Sequence, residues 1–389
     1  MGCDALYDAR LAISGKDVAL FDLATWKNGL AFKKIDFSDS GIPVIKIAEL
    51  NNGIGSSTSF TRGVYSSDVK LQRGDFLFSW SGNPETSIDI FRFELEEGWL
   101  NQHIFKTTPN SSLVTGDYFF YLMKWLKPVF KSIASNKQTT GLGHITISDL
   151  KKIKVTVPAK DFQGKVAAIL IAIDNKISLN AKLNGYLAEL ADSLFKRRFG
   201  ELPDNASLSD VAEITMGQSP AGSSYNEDGV GTVFYQGRAE FGWRYPSQRL
   251  STTEPKRMAR RGDVLMSVRA PVGDLNIAFE DCCIGRGLAA IHSEHPSFCL
   301  YLMRSLHSKL DAFNGEGTVF GSINGRALKS LPIALPKTRE IQTFEKEVSP
   351  IDTQIRGNEL QSRLLVTLRD TLLPRLMSGE IDVSKVTLF

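Results

Sequence analysis

Two stretches of this chain are written twice. VKLQRGDFLFS (69–79) returns as RMARRGDVLMS (257–267), and GHITISDLKKIKVTVP (143–158) returns as GSINGRALKSLPIALP (321–336). After each later segment comes a long apolar pattern at heptad spacing. One ladder is Val166, Ile173, Asn180, Leu187, Leu194; the other is Phe344, Ile351, Asn358, Leu365, Leu372, each rung 178 residues beyond its counterpart. Asn holds the middle rung of both. The chain must therefore build one unit twice, a β-rich globule followed by a long helix. A duplicated unit presents two similar surfaces at a fixed separation, which suits a target that is itself bipartite.

The 389 residues leave room for two or three domains with real cores. Apolar residues at 42% and charged residues at 23% place the chain among ordinary globular proteins. A net charge of +3 neither announces nucleic acid nor excludes it, because local patches decide that question. No apolar run reaches membrane-spanning length, and MGCDALYDARLAISG lacks a signal-peptide core, so the expectation is a cytoplasmic protein with no membrane partner. Cys3, Cys282, Cys283 and Cys299 form no CxxC pair and read as reduced thiols.

Punctuation by Gly, Pro and Asn divides the chain. Residues 1–16 read as an N-terminal arm, helical around Ala5–Ile13. Residues 17–158 alternate β-type runs with turns and hold one amphipathic helix, Tyr118–Ile133. Residues 159–200 carry the first heptad helix, over 163–199, on the order of 55 Å long. Residues 201–336 repeat the β-rich theme with a matching helix, Phe298–Asn314. Residues 337–389 carry the second heptad helix, over 339–373, in which Pro350 should begin a turn or kink and Pro374 should end it. The expected fold is α+β: two β-rich domains separated by two long antiparallel helices, with an internal pseudo-two-fold repeat.

Asn180 and Asn358, each at an apolar a position, fix register and partner at a cost in stability; Leu187 and Leu365 are the next rungs. The d positions are mixed: Ile169, Lys176, Leu183 and Leu190, then Glu347, Gln354, Gln361 and Leu368. Such a seam is too polar for a long isolated coiled coil. Each helix should bury one narrow stripe on its sister, with the two Asn residues near each other, and leave other faces for partner proteins.

Several chemistries lack their residues. No GxxxxGK[ST] loop and no Gly-rich strand-to-helix turn is present, so ATP-driven work and methyl-donor binding are unsupported. Asn83-Pro84-Glu85-Thr86 starts like the Asn-Pro-Pro-aromatic loop of amino-methyltransferases and fails at its third and fourth positions. The five histidines form no HExxH, and no metal set is expected. The two Arg-Gly-Asp triplets read as turns before apolar strands, with Gly supplying positive φ and Asp the cap.

Residue types that read base edges gather in the loops of both copies. Arg suits guanine, Asn and Gln suit adenine, and Lys and backbone N–H groups hold phosphates. The first copy offers Lys46, Trp80, Asn101, Gln102, Lys137 and Thr139. The second offers Gln236, Arg238, Trp243, Arg244, Arg269, Arg286 and Asn324. A self-contained enzyme acting on nucleic acid and a scaffold of two protein-binding modules are the competing readings.

Taken together, GIPVIKIAELNNGI with FSWSGNPETSIDIF and WLNQHIFK, then FYQGRAEFGWRYPS with LMSVRAPVGDLNIA and CCIGRGLAAI, and the late phrase LLPRLMSGEI (372–381), resemble the specificity subunit of type I restriction-modification systems. The resemblance covers the whole chain. It implies two target-recognition domains (17–158 and 201–336) alternating with a central (159–200) and a C-terminal (337–389) conserved helical region. It further implies that each domain reads half of an asymmetric double-stranded DNA site and that the helices set the spacer. Two modification subunits would dock on the helices and methylate adenine N6, and restriction subunits would translocate and cleave. S-adenosylmethionine, ATP and Mg²⁺ would belong to those partners, and this chain would be non-catalytic.

Overall fold

The computed structural model describes residues 7–9, 13–137, 141–315 and 321–383. It divides into two units. Unit 1 is Met1–Ser178 with Ser362–Phe389, and unit 2 is Leu179–Gln361.

Unit 1 holds two four-stranded sheets. One runs Phe60–Thr61, Ile42–Ile45, Glu97–Leu100, Lys70–Gln72; the other runs Ala24–Asn28, Ile104–Pro109, Phe76–Ser79, Asp89–Arg92. Unit 2 repeats both orders. Leu250–Thr252, Thr232–Tyr235, Cys282–Ile284, Met258–Ala259 form one sheet, with Tyr225–Asn226 added at its edge. Glu213–Met216, Leu288–His292, Val264–Ser267, Leu275–Ile277 form the other. Within these sheets each unit has one parallel pair among the described strands, and it falls at the same place, Trp99 opposite Val44 and Phe234 opposite Cys283. The Arg-Gly-Asp turns match too. Gly74 and Gly262 have φ of 94° and 92°. Asp75 accepts from the Gln72 amide and Asp263 from the Arg260 amide, both at 2.8 Å. Sequence repetition has thus become repetition of hydrogen-bond topology.

Helices cover one sheet in each unit. Gly116–Trp125 and Lys127–Asn136 do so in unit 1, and Pro296–Ser305 and His307–Asp311 in unit 2. The single helix expected at each place is interrupted at Leu126 and Leu306, both buried. In unit 1 Pro128 opens the second piece, where its missing N–H costs nothing. The expected N-terminal helix is absent from the described part of its range. Asp8–Ala9 instead adds as a parallel strand to Lys154–Val157, whose free edge offers a ladder.

The long helices are Lys160–Phe199 and Thr338–Met377. Pro350 and Pro374 do not end the second. Both sit on its exposed face, where water can satisfy the carbonyl that loses its bond. Within unit 1, Val166, Ala167 and Leu170 share a core with Leu376 and Met377, and Arg369 pairs with Asp174 at 2.9 Å. Within unit 2, Ala191, Phe195 and Phe199 share a core with Phe344, Val348 and Ile355, and Arg198 pairs with Glu347 at 2.6 Å. In each unit rising numbers on one helix meet falling numbers on the other, so the segments run antiparallel. Burying a side chain such as Phe344 contributes about 1.5–3 kcal/mol.

The two middle rungs do meet. Asn180 Nδ2 donates to the Asn358 carbonyl (3.3 Å) and to Gln361 Oε1 (2.9 Å). Asn358 Nδ2 donates to Asn184 Oδ1 (2.8 Å), and Asn358 Oδ1 accepts from Gln354 Nε2 (2.8 Å). The second buried stripe is not at d. It lies one residue later, at Leu170, Asn184 and Ala191, and at Val348, Ile355 and Leu376. Lys176, Leu183 and Leu190, and all four d residues of the second helix, are exposed.

Candidate nucleic-acid interface

In both units a strand leaves one sheet and enters the other through a two-residue turn. In unit 1 the turn is Gln102–His103, between Glu97–Leu100 and Ile104–Pro109; in unit 2 it is Arg286–Gly287, between Cys282–Ile284 and Leu288–His292. The same backbone bonds hold each turn. Asn101 N–H donates to the Ile45 carbonyl (3.1 Å) as Gly285 N–H donates to that of Tyr235 (2.8 Å). Trp80 N–H donates to the His103 carbonyl (3.3 Å) as Val268 N–H donates to that of Gly287 (2.9 Å). Behind the turns, Gly29 and Gly217 are bare backbone. A Cβ on Gly29 would lie 2.1 Å from the Asn101 oxygen, and one on Gly217 2.2 Å from the Gly285 oxygen.

These bonds gather four of the six residues expected in unit 1. Lys46 follows Ile45, Trp80 touches the turn, Asn101 precedes it and Gln102 lies on it. The Trp80 indole N–H donates to Asn28 Oδ1 (3.1 Å), and its ring lies 5.7 Å from that of His103. Gln102 Nε2 lies 3.1 Å from His103 Nε2. Lys46 Nζ donates to Ser59 Oγ (2.8 Å) and sits over the Phe37 ring. Asn28 and His103 complete the group.

Unit 2 gathers Gln236, which follows Tyr235, with Arg286 on the turn and Arg269 beside Val268. All three are exposed. Neither Arg269 nor Arg286 has a side-chain partner among the described residues. Arg286 is held through its backbone N–H, which donates to Ser219 Oγ (3.2 Å). Ser219 carries no signal in the sequence; only its position two residues after Gly217 places it here. Arg238 lies two residues past Gln236, paired with Asp274.

Of the other expected residues, Asn324 stays beside Arg269, since Ile323 N–H donates to the Val268 carbonyl (3.1 Å) and Ser322 bridges Arg269. Arg244 is a correction: its side chain is only 4% exposed, and its guanidinium pairs with Asp352 and donates to Tyr301 Oη (3.3 Å). Burial opposes its charge, but Asp352 and Tyr301 outweigh burial and hold the proton more firmly. It cannot reach a ligand. Lys137 is spent on the buried Asp149, donating to both carboxylate oxygens at 2.6 and 2.5 Å. Asn324 caps the helix Gly325–Lys329, accepting from the Ala327 amide (3.0 Å). Trp243 is exposed. Thr139 lies outside the described residues. Leu187 packs against the unit 2 core, and Leu365 is half-buried. Among the described residues no group of His, Cys, Asp and Glu could hold a metal ion, and no helix is long and apolar enough to cross a membrane.

Comparison with known proteins agrees with this layout. A family model described as the type I restriction modification DNA specificity domain matches residues 15–188 and 204–365. A putative type I restriction enzyme specificity subunit of Methanocaldococcus jannaschii is 30% identical, covering 92% of this chain and 91% of the relative. A type I restriction enzyme specificity subunit of Haemophilus influenzae is 21% identical over 80% of this chain and 87% of its own. A crystal structure of the type I restriction-modification S subunit from M. genitalium shares the fold, with a TM-score of 0.58, 16% identity, and coverage of 94% of this chain and 96% of that one. Fold and repeat together define a two-domain specificity protein. The chain belongs to the type I restriction-modification DNA specificity family.

Proposed function

We propose that this chain is the DNA-reading subunit of a type I restriction-modification assembly in the cytoplasm. Each recognition domain binds one half of a bipartite, asymmetric double-stranded site. The observation that carries this is the matched turn, which sets Arg286 and Arg269, without side-chain partners among the described residues, with Gln236 in one unit, and Gln102, Asn101, Trp80 and Lys46 in the other. Exposed Arg and amide side chains on rigid strand ends are what reading base edges requires. The chain itself is non-catalytic. Modification subunits supply S-adenosylmethionine and methylate adenine, and restriction subunits supply Mg²⁺-dependent ATP hydrolysis and cleavage.

Two apolar faces support docking of two modification subunits. In unit 2 Leu179, Leu183, Tyr186 and Leu190 are exposed at i, i+4, i+7 and i+11 of the first long helix, and in unit 1 Leu364 and Leu368 are exposed on the second. Leu364 and Leu368 are the repeat counterparts of Tyr186 and Leu190.

Co-expression with the modification subunit, followed by mapping of methylated adenines, tests the reading. The expected result is methylation at one split sequence, and none when the modification subunit is omitted. Arg286→Ala should weaken binding and relax base preference in one half only. Methylation by this chain without partners, or relaxation of both halves together, would refute the assignment.

A further inference from the structure

The backbone around the sheet-to-sheet turn is the same object in both units, while the side chains on it differ. Besides the bonds already described, Ile104 N–H donates to the Asn101 carbonyl (3.3 Å) as Leu288 N–H donates to that of Gly285 (3.0 Å). Gly29 N–H donates to the Ile104 carbonyl (3.2 Å) as Gly217 N–H donates to that of Leu288 (2.9 Å). Leu30 N–H donates to the Leu100 carbonyl as Gln218 N–H donates to that of Ile284, both at 2.9 Å. These pairings put Gln102 and Arg286 at one and the same position. Each turn is anchored on both flanks and packed on a glycine that admits no Cβ, so its first residue is held on a rigid support.

We infer that this first turn residue is a shared base-reading seat, filled by Gln102 for adenine in unit 1 and by Arg286 for guanine in unit 2. The inference rests on the DNA-reading function proposed above and assigns its chemistry. A carboxamide carries one acceptor and two donors, which match the N6 amino group and N7 of adenine. A guanidinium carries donors only, in a planar fork that matches O6 and N7 of guanine. The following residue fits each role. His103 lies within hydrogen-bond distance of the Gln102 amide and restricts its rotation, whereas Gly287 leaves Arg286 unobstructed.

Exchanging the two side chains tests this. Arg286→Gln and Gln102→Arg are each co-expressed with the modification subunit, and methylated adenines are mapped with each half-site randomised separately. In Arg286→Gln, guanine at one position of the unit 2 half-site should give way to adenine, with guanine falling about tenfold or more. Gln102→Arg should make the reverse change at one position of the other half. In each variant the untouched half is the control for folding, because it should be read as in the parent. An unchanged preference in both variants, beside a normal parent site, would overturn the seat while leaving DNA reading intact. General weakening of one half without a new preferred base would also overturn it, since that is how a phosphate contact behaves. A parent that methylates no split site would instead overturn the function on which the seat depends.

Discussion

Lys137, Arg244 and Arg286 are alike in sequence, long cations in polar loops, and differ in what each one meets. Lys137 meets Asp149, whose side chain is 2% exposed and also accepts from the Thr146 amide (2.8 Å) and hydroxyl (2.6 Å). Burial pushes the Asp149 carboxyl up, but Lys137 and Thr146 outweigh it and hold it below its ordinary value. Lys137→Ala should therefore cost about 1–3 kcal/mol at neutral pH, because it leaves a buried carboxylate short of its cation. A depressed carboxyl stabilises the fold above its unfolded value, about 3.9, and loses that contribution as pH falls toward its folded value. The melting temperatures of parent and variant should thus differ at pH 7 and converge below about pH 4. A variant that melts like the parent yet binds DNA less tightly would return Lys137 to the interface. No local pattern distinguishes these three cations. Their partners lie 12 residues away for Lys137 and 108 for Arg244, so only the fold separates them.

The long helices show which part of an element is legible beforehand. Their existence, approximate ends and Asn rungs follow from local periodicity, and all three appear in the structure. The second stripe does not follow from it. A strict heptad requires 3.5 residues per turn, while a straight helix drifts by about 20° per heptad. The drifted positions, Leu170, Asn184 and Ala191, are the buried ones, in place of Ile169, Leu183 and Leu190. Leu183 is thereby released from the sister helix to solvent, at 41% exposure, in line with Leu179, Tyr186 and Leu190. Leu183→Arg should reduce co-purification of the modification subunit at least tenfold while the melting temperature stays within a degree or two of the parent. Undiminished co-purification would show that this face is not the docking surface.

At the scale of the whole molecule, the repeat is more regular than the division of the chain. Unit 2 is one continuous stretch, whereas unit 1 is completed by residues 362–383. Leu376, Met377 and Val383 lie in the same core as Ala9, Leu20 and Val155. Leu376→Ala should cost about 2–5 kcal/mol, and amide exchange should rise in unit 1 while unit 2 keeps its protection. Equal loss of protection in both units would contradict this division. The arrangement also imposes an order on biosynthesis. At about 5–20 residues per second, the ribosome needs roughly ten to forty seconds to pass from residue 178 to residue 361. Unit 1 spends that interval with the places of Leu376 and Met377 unfilled, and the half of the protein that is made later is the first that can be finished.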